Sequence, residues 1–442
     1  MKNILVIGAG RSSLVLIKYL LDNSVENCWH VTVADFSINL AVDAVKSHKN
    51  GEAISFDINR DDERLKQINK SDIVISMLPA SLHFIVAKDC VRLKKNLVTA
   101  SYVSKEISKL NQDAKKAGIL LLNEIGLDPG IDHMSAMSII DSIKDNGGEL
   151  TSFKSYCGGL IHPDSDTNPW NYKFTWNPRN VVLAGQGTAH YIENSNLKSI
   201  AYNNLFQRTN TVNVLNAGIF ESYFNRDSLS YRKSYGLDNI PTLYRGTLRR
   251  VGFCASWNMF VQLGLTDDSY KIENSENLSN RQFINMFLEF DSELTVEEKF
   301  CKLFNLSFES LIFKKIAWLG IFSEFKVGIK CASPAQILQL ILESKWGLDS
   351  NDRDMIVMQH QFEFHLKGTL KKLNSSLLVY GDSTRYTSMA KTVGLPVAIA
   401  TKLILNGIIK STGVRIPTSK NIYVPVLEEL KDNGINFIEE SV

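Results

Sequence analysis

The sequence has no cysteine pair at metal or disulfide spacing, no long run of one charge sign and no low-complexity tail. Its six cysteines, Cys28, Cys90, Cys157, Cys254, Cys301 and Cys331, are scattered without a C-x-x-C pair or a partnering histidine spacing. That argues against a zinc site and against a disulfide framework, and leaves buried thiols as the expectation. A net charge of +2, with no basic run longer than a few residues, speaks against nucleic acid or an anionic membrane surface as partner. No apolar run approaches the ~20 residues that span a bilayer. Met1-Lys2-Asn3 leads straight into an apolar strand, so no secretory leader is expected. A cytoplasmic protein with a small-molecule partner, no metal, no nucleic acid and no membrane is the expectation.

What is present is globular in character. Hydrophobic residues make up 44% and charged residues 22%, enough apolar surface to bury. At 442 residues the chain is too long for one ordinary core, so two domains are expected.

The apolar run Ile4-Leu5-Val6-Ile7 reads as a central parallel strand and is followed at once by Gly8-Ala9-Gly10-Arg11-Ser12-Ser13, then by a helix over 14–21. Strand, glycine turn and helix form the phosphate-binding corner of a dinucleotide fold. Gly8 permits the turn, Gly10 lets backbone approach a pyrophosphate, and the helix start offers amide donors beside Arg11 and Ser12. Ser13 stands where the pattern has its third glycine. A second strand, Trp29 to Ala34, ends in Asp35, about 22 residues past the corner, where a carboxylate reaches ribose hydroxyls. A carboxylate there repels a 2′-phosphate, and Phe36 and Ser37 supply no arginine to bind one, so NAD is favoured over NADP.

Further alternation of strands and helices runs to Asn123, predicting a Rossmann-like doubly wound α/β sheet. Its strand ends place Asp57, Ile58, Met77, Leu78, Ser101 and Tyr102 toward a ligand, with capping the next helix as an equal role for Asp57. After Gly147 the pattern changes to irregular strands and helices, an α+β substrate and dimerisation domain. The stretch Asn123 to His133 lies at the change, and its Asp128-Pro129-Gly130 turn is expected to deliver a carboxylate into the crevice between the halves.

Glu124-Ile125-Gly126-Leu127-Asp128-Pro129-Gly130-Ile131-Asp132-His133 resembles the saccharopine dehydrogenase family, in its glutamate-forming branch. So do Ser155-Tyr156-Cys157-Gly158-Gly159-Leu160, Tyr172-Lys173-Phe174, Asn225-Arg226-Asp227-Ser228, Arg245-Gly246-Thr247-Leu248-Arg249, Asp352-Arg353-Asp354-Met355 and Thr392 to Ala400. The resemblance implies an NAD(P)-dependent oxidoreductase of lysine metabolism that interconverts saccharopine and water with 2-aminoadipate 6-semialdehyde and glutamate, and a homodimer. It assigns Arg226, Arg245, Gly246 and Thr247, with Ser101, Tyr102 and Asp128, to a substrate rich in carboxylates, for which arginine is the suited cation. Tyr102, Asp128 and Cys157 become the acid–base candidates, while His133 reads as a helix-start or packing histidine rather than a metal ligand or base. It also implies that the chain end returns to the nucleotide domain, giving domains at 1–130, 131–390 and 391–442. Two rivals share the glycine corner: a related enzyme of the carboxynorspermidine synthase kind, and a catalytically idle dinucleotide sensor.

Overall fold

A computed structural model describes residues 1–442 and resolves them into two compact units, Met1–Leu150 with Phe364–Val442, and Thr151–Glu363. Short, apolar, β-branched runs form the first sheet: β1 (Lys2–Ile7), β2 (Trp29–Asp35), β3 (Gly51–Ser55), β4 (Ile73–Ser76), β5 (Asn96–Val98) and β6 (Leu120–Leu122). The spatial order is β6-β5-β4-β1-β2-β3, with Gly413–Arg415 added outside β6, and every neighbouring pair is parallel. The chain therefore reverses its winding between β1 and β4, the position at which doubly wound sheets bind dinucleotides. Both faces are covered, which is why Ile4 to Ile7 and Ile73 to Ser76 are buried without alternation.

The sequence places the first boundary after residue 130, whereas the contacts place it after Leu150. The helix Ile131–Asp145 is fastened to the helix Lys420–Asp432 by Tyr423 Oη donating to Asp141 (2.7 Å) and by Lys420 on Asp145 (2.7 Å). At the far end the first unit resumes at Phe364, earlier than residue 391.

The helix Ser388–Leu405 is continuous through Gly394-Leu395-Pro396, one of the two forms that the proline allows. By length and composition it passes as a membrane span, although Lys391 and Lys402 interrupt its apolar run. It is mostly buried and packs along the helix Leu14–Asp22, as a core helix does. Between β5 and β6 run two short helices, Lys105–Lys109 and Asn111–Ala117, separated at Leu110.

The second unit is built on a mixed sheet in the order Thr209–Asn213, Ile219–Phe224, Thr242–Arg250, Glu149–Ile161, Asp354–Leu366. Its helical part carries no functional motif in the sequence. Ser279, Thr295 and Ser333 each open a helix with a reciprocal capping box. Trp170, Tyr172, Phe253 and Trp346 form one aromatic core, with ring centroids of Tyr172 and Trp346 at 5.1 Å.

Candidate dinucleotide and substrate residues

The glycine corner leaves β1 at Gly8, whose amide donates to Ala34 O (2.8 Å). Gly8 has φ +106° and a side chain there would meet Met77 O at 2.8 Å, so the corner is pressed against the end of β4. Gly10 is the opposite case: a Cβ there meets nothing within 4 Å. The open face at Gly10, beside the start of a helix, is a cradle that fits a pyrophosphate. Arg11 and Ser12 lie in the 3-10 turn that follows, with Arg11 exposed. Ser13 is buried, and the close packing usual for a third glycine occurs across from it: a Cβ on Gly394 would lie 3.0 Å from Leu16 N and 3.2 Å from Ser12 O.

Asp35 is held in place by two donors, Ala9 N to Oδ2 (2.8 Å) and Ser37 N to Oδ1 (2.8 Å). A carboxylate offers about four acceptor positions, so two stay available to ribose hydroxyls. Asp57 accepts from Asn59 N (3.0 Å) in a local turn, and Ile58 is buried with its carbonyl accepting from Arg64 Nη1 (2.6 Å). Met77 N donates to Ile7 O (2.8 Å), which puts Met77 and Leu78 beside the corner.

A group that the sequence does not disclose lies between β4 and β5. His83, the first residue of the helix His83–Leu93, is 2% exposed, with Nδ1 at 2.8 Å from Ser76 Oγ and Nε2 at 2.6 Å from Ser101 Oγ. Burial pulls its pKa down to about 4, against a backbone hydrogen bond with Leu78 that works the other way. The ring is neutral near pH 7, so one nitrogen donates and the other accepts.

The stretch 124–133 is a tight knot. Across the cis Asp128–Pro129 bond Gly126 N donates to Pro129 O (2.9 Å) and Ile131 N to Gly126 O (2.8 Å), and just beyond it Gly130 N donates to Asp132 Oδ1 (2.6 Å). Gly130 has φ +145°, and a Cβ on it would sit 2.1 Å from Gly126 O, so no other residue fits. Asp128 is left half-buried at the tip. Glu124 and His133 are both buried and meet at 2.9 Å. Glu124 also accepts from Val103 N (2.9 Å), and its own amide donates to Ser101 O (3.0 Å). Ser101 and Val103 are thus tied down on either side of Tyr102, which is 48% exposed.

In the second unit the segments singled out from the sequence are laced together. Asn225 N donates to Arg245 O (2.8 Å) and Arg245 N to Ser228 Oγ (3.0 Å), so the segments carrying Arg226 and Arg245 are neighbours. Arg226 is exposed, whereas Arg245 is buried with its guanidinium 4.2 Å from the Tyr231 ring centroid. Thr247 is in register with Cys157, which is buried. Gly246 lies mid-sheet, where a Cβ would come within 2.1 Å of Ser222 Oγ; crowding explains this glycine. Lys173 and Asp352 form a buried ion pair (2.6 Å), with Asp349 at 2.9 Å from the same amine.

A reversed-winding parallel sheet, an open glycine cradle at its switch point and a fixed acid at the end of β2 define a protein of the nicotinamide-dinucleotide-binding class. Residues 4–122 match the saccharopine dehydrogenase NADP binding domain and residues 126–435 the saccharopine dehydrogenase C-terminal domain. The chain belongs to the saccharopine dehydrogenase family. It is 36% identical to the Saccharomyces cerevisiae saccharopine dehydrogenase [NADP(+), L-glutamate-forming], covering 100% of this chain and 99% of that one. The apo structure of the yeast protein overlays with a TM-score of 0.90, 100% coverage of both chains and 34% identity. The chain is also 36% identical to the Arabidopsis thaliana alpha-aminoadipic semialdehyde synthase, covering 93% of this chain but 41% of that longer protein. A Legionella pneumophila homospermidine synthase shares the fold at TM-score 0.57 and 9% identity.

Proposed function

We propose that this protein is a glutamate-forming saccharopine dehydrogenase that uses NAD in preference to NADP. The observation that carries the activity is end-to-end similarity to the yeast enzyme across both family domains. In the reaction, the terminal carbon of the lysine skeleton that bears the secondary amine loses a hydride and the nitrogen loses a proton, and water hydrolyses the resulting imine to 2-aminoadipate 6-semialdehyde and glutamate. A nicotinamide dinucleotide bound at the glycine corner supplies the hydride acceptor. The chain's own residues hold the substrate and handle protons. Arg226 and Arg245 bind carboxylates, for which forked guanidinium donors are suited. Asp128, fixed by the 126–130 knot, stabilises positive charge on the nitrogen. Tyr102 and Cys157 are the proton-handling candidates for the water and amine steps.

NAD preference rests on Asp35. Its carboxylate is held by Ala9 N and Ser37 N at the end of β2, where its charge would repel a 2′-phosphate, and Phe36 beside it is exposed and uncharged. Saccharopine dehydrogenases from Saccharomyces cerevisiae, Pyricularia oryzae and Schizosaccharomyces pombe are named as NADP(+) enzymes, so an NAD preference would set this chain apart from them. The test is a steady-state assay with saccharopine and either cofactor, following reduced nicotinamide and released glutamate. Turnover with glutamate as product and a higher kcat/KM with NAD is expected. No glutamate would overturn the activity, and an NADP preference would overturn the role of Asp35.

A further inference from the structure

The segment Ser101-Tyr102-Val103 leaves β5 at the sheet edge that faces ligand in this fold. It has two ties. On one side Glu124 binds Ser101 O and Val103 N through its amide and carboxylate and is itself met by His133. On the other, the Ser101 hydroxyl meets His83, whose second nitrogen meets Ser76 at the end of β4. We propose that His83 is a positioning residue for catalysis: anchored on Ser76, its ring fixes the Ser101 hydroxyl and thereby the presentation of Ser101 and Tyr102 to substrate. This rests on the assignment above of Ser101 and Tyr102 to the saccharopine site.

The geometry separates this role from space filling. A serine hydroxyl rotates freely, and a fixed nitrogen at 2.6 Å selects one rotor for Ser101. A ring that only filled volume would gain nothing from hydroxyls at both nitrogens, since an apolar side chain of similar size avoids desolvating them. The anchor is rigid as well, because Ser76 is fully buried at the end of a four-residue central strand.

Two near-isosteres divide the ring. In His83→Gln the amide falls near the position of Nε2 and keeps its reach to Ser101. In His83→Asn it falls near Nδ1 and keeps only Ser76. The expected result is that His83→Asn lowers kcat/KM for saccharopine about tenfold or more, while His83→Gln stays within about threefold of the parent. Affinity for NAD, read by titration of intrinsic fluorescence, and the unfolding midpoint are expected to agree between the two variants. Ser101→Ala should show a loss similar to that of His83→Asn, and combining the two should add little further loss. Equal effects of Asn and Gln, or losses that multiply in the double variant, would overturn the proposal.

A readout independent of turnover keeps the test separate from the activity assignment. Hydrogen exchange of the peptide that carries Tyr102 and Val103 should accelerate in His83→Asn and not in His83→Gln. If the parent enzyme fails to turn over saccharopine, the proposed activity falls and this exchange difference alone decides whether His83 fixes the segment. Identical exchange in both variants rejects it.

Discussion

Asp35 and His83 show how differently single residues announce themselves. Asp35 is legible in the sequence because its meaning depends on distance along the chain from the glycine corner. What the sequence does not show is that the carboxylate also fastens the corner through Ala9 N. Asp35→Asn keeps an acceptor for that amide while removing the charge, so the ratio of kcat/KM for NAD over NADP should fall by about tenfold, measured with saccharopine at fixed concentration. His83 was invisible because Ser76, His83 and Ser101 follow no motif; they meet only where two parallel strands end. Its pKa, depressed to about 4, has a stability consequence with a definite sign. Between that value and the ordinary one the unfolded chain takes up a proton that the folded chain refuses. The stability is complete above the ordinary histidine pKa of ~6.5 and is lost as pH falls toward the folded value. Denaturant unfolding at pH 7 and pH 5 should therefore show a larger drop for the parent than for His83→Gln, by an amount on the order of 1–2 kcal/mol.

At the scale of elements, the strings Tyr172-Lys173-Phe174 and Asp352-Arg353-Asp354 were legible as strings, but not their connection. They are joined by the buried pair of Lys173 with Asp352, whose carboxylate also accepts from Asp349 N (2.7 Å). Lys173→Met strands a buried carboxylate, so a loss of about 3–5 kcal/mol is expected in chemical unfolding, and a second change, Asp352→Leu, should restore much of it. The helix Ser388–Leu405 crosses the amino end of the helix Leu14–Asp22 at Gly394, where a Cβ would press on the backbone at 3.0 Å from Leu16 N and 3.2 Å from Ser12 O. Gly394→Val should cost about 1–3 kcal/mol by overpacking and weaken dinucleotide binding, because Ser12 O is among the atoms displaced. The sequence indicated the missing third glycine at Ser13. It could not indicate that a glycine on a distant helix supplies the close approach instead.

For the whole molecule, the sequence disclosed the doubly wound sheet, its cofactor edge and the change of pattern after Gly147. That Ile131–Asp145 belongs to the first unit is not legible in the sequence, because the residues that bind it there, Lys420 and Tyr423, lie far along the chain. A ligand that binds only the folded first unit raises its stability in proportion to the logarithm of its concentration. NAD at a hundredfold excess over its Kd should shift unfolding by about 2.7 kcal/mol, measured by calorimetry, and Asp35→Ala should shrink that shift.

Gly394 has a further consequence in time. The helix that closes over the corner leaves the ribosome only after the entire second unit has been made, and the strand Gly413–Arg415, which completes the sheet edge beside β6, emerges later still. A nascent polypeptide arrested before Ser388 should carry every residue of the glycine corner and yet fail to retain dinucleotide on a cofactor affinity resin.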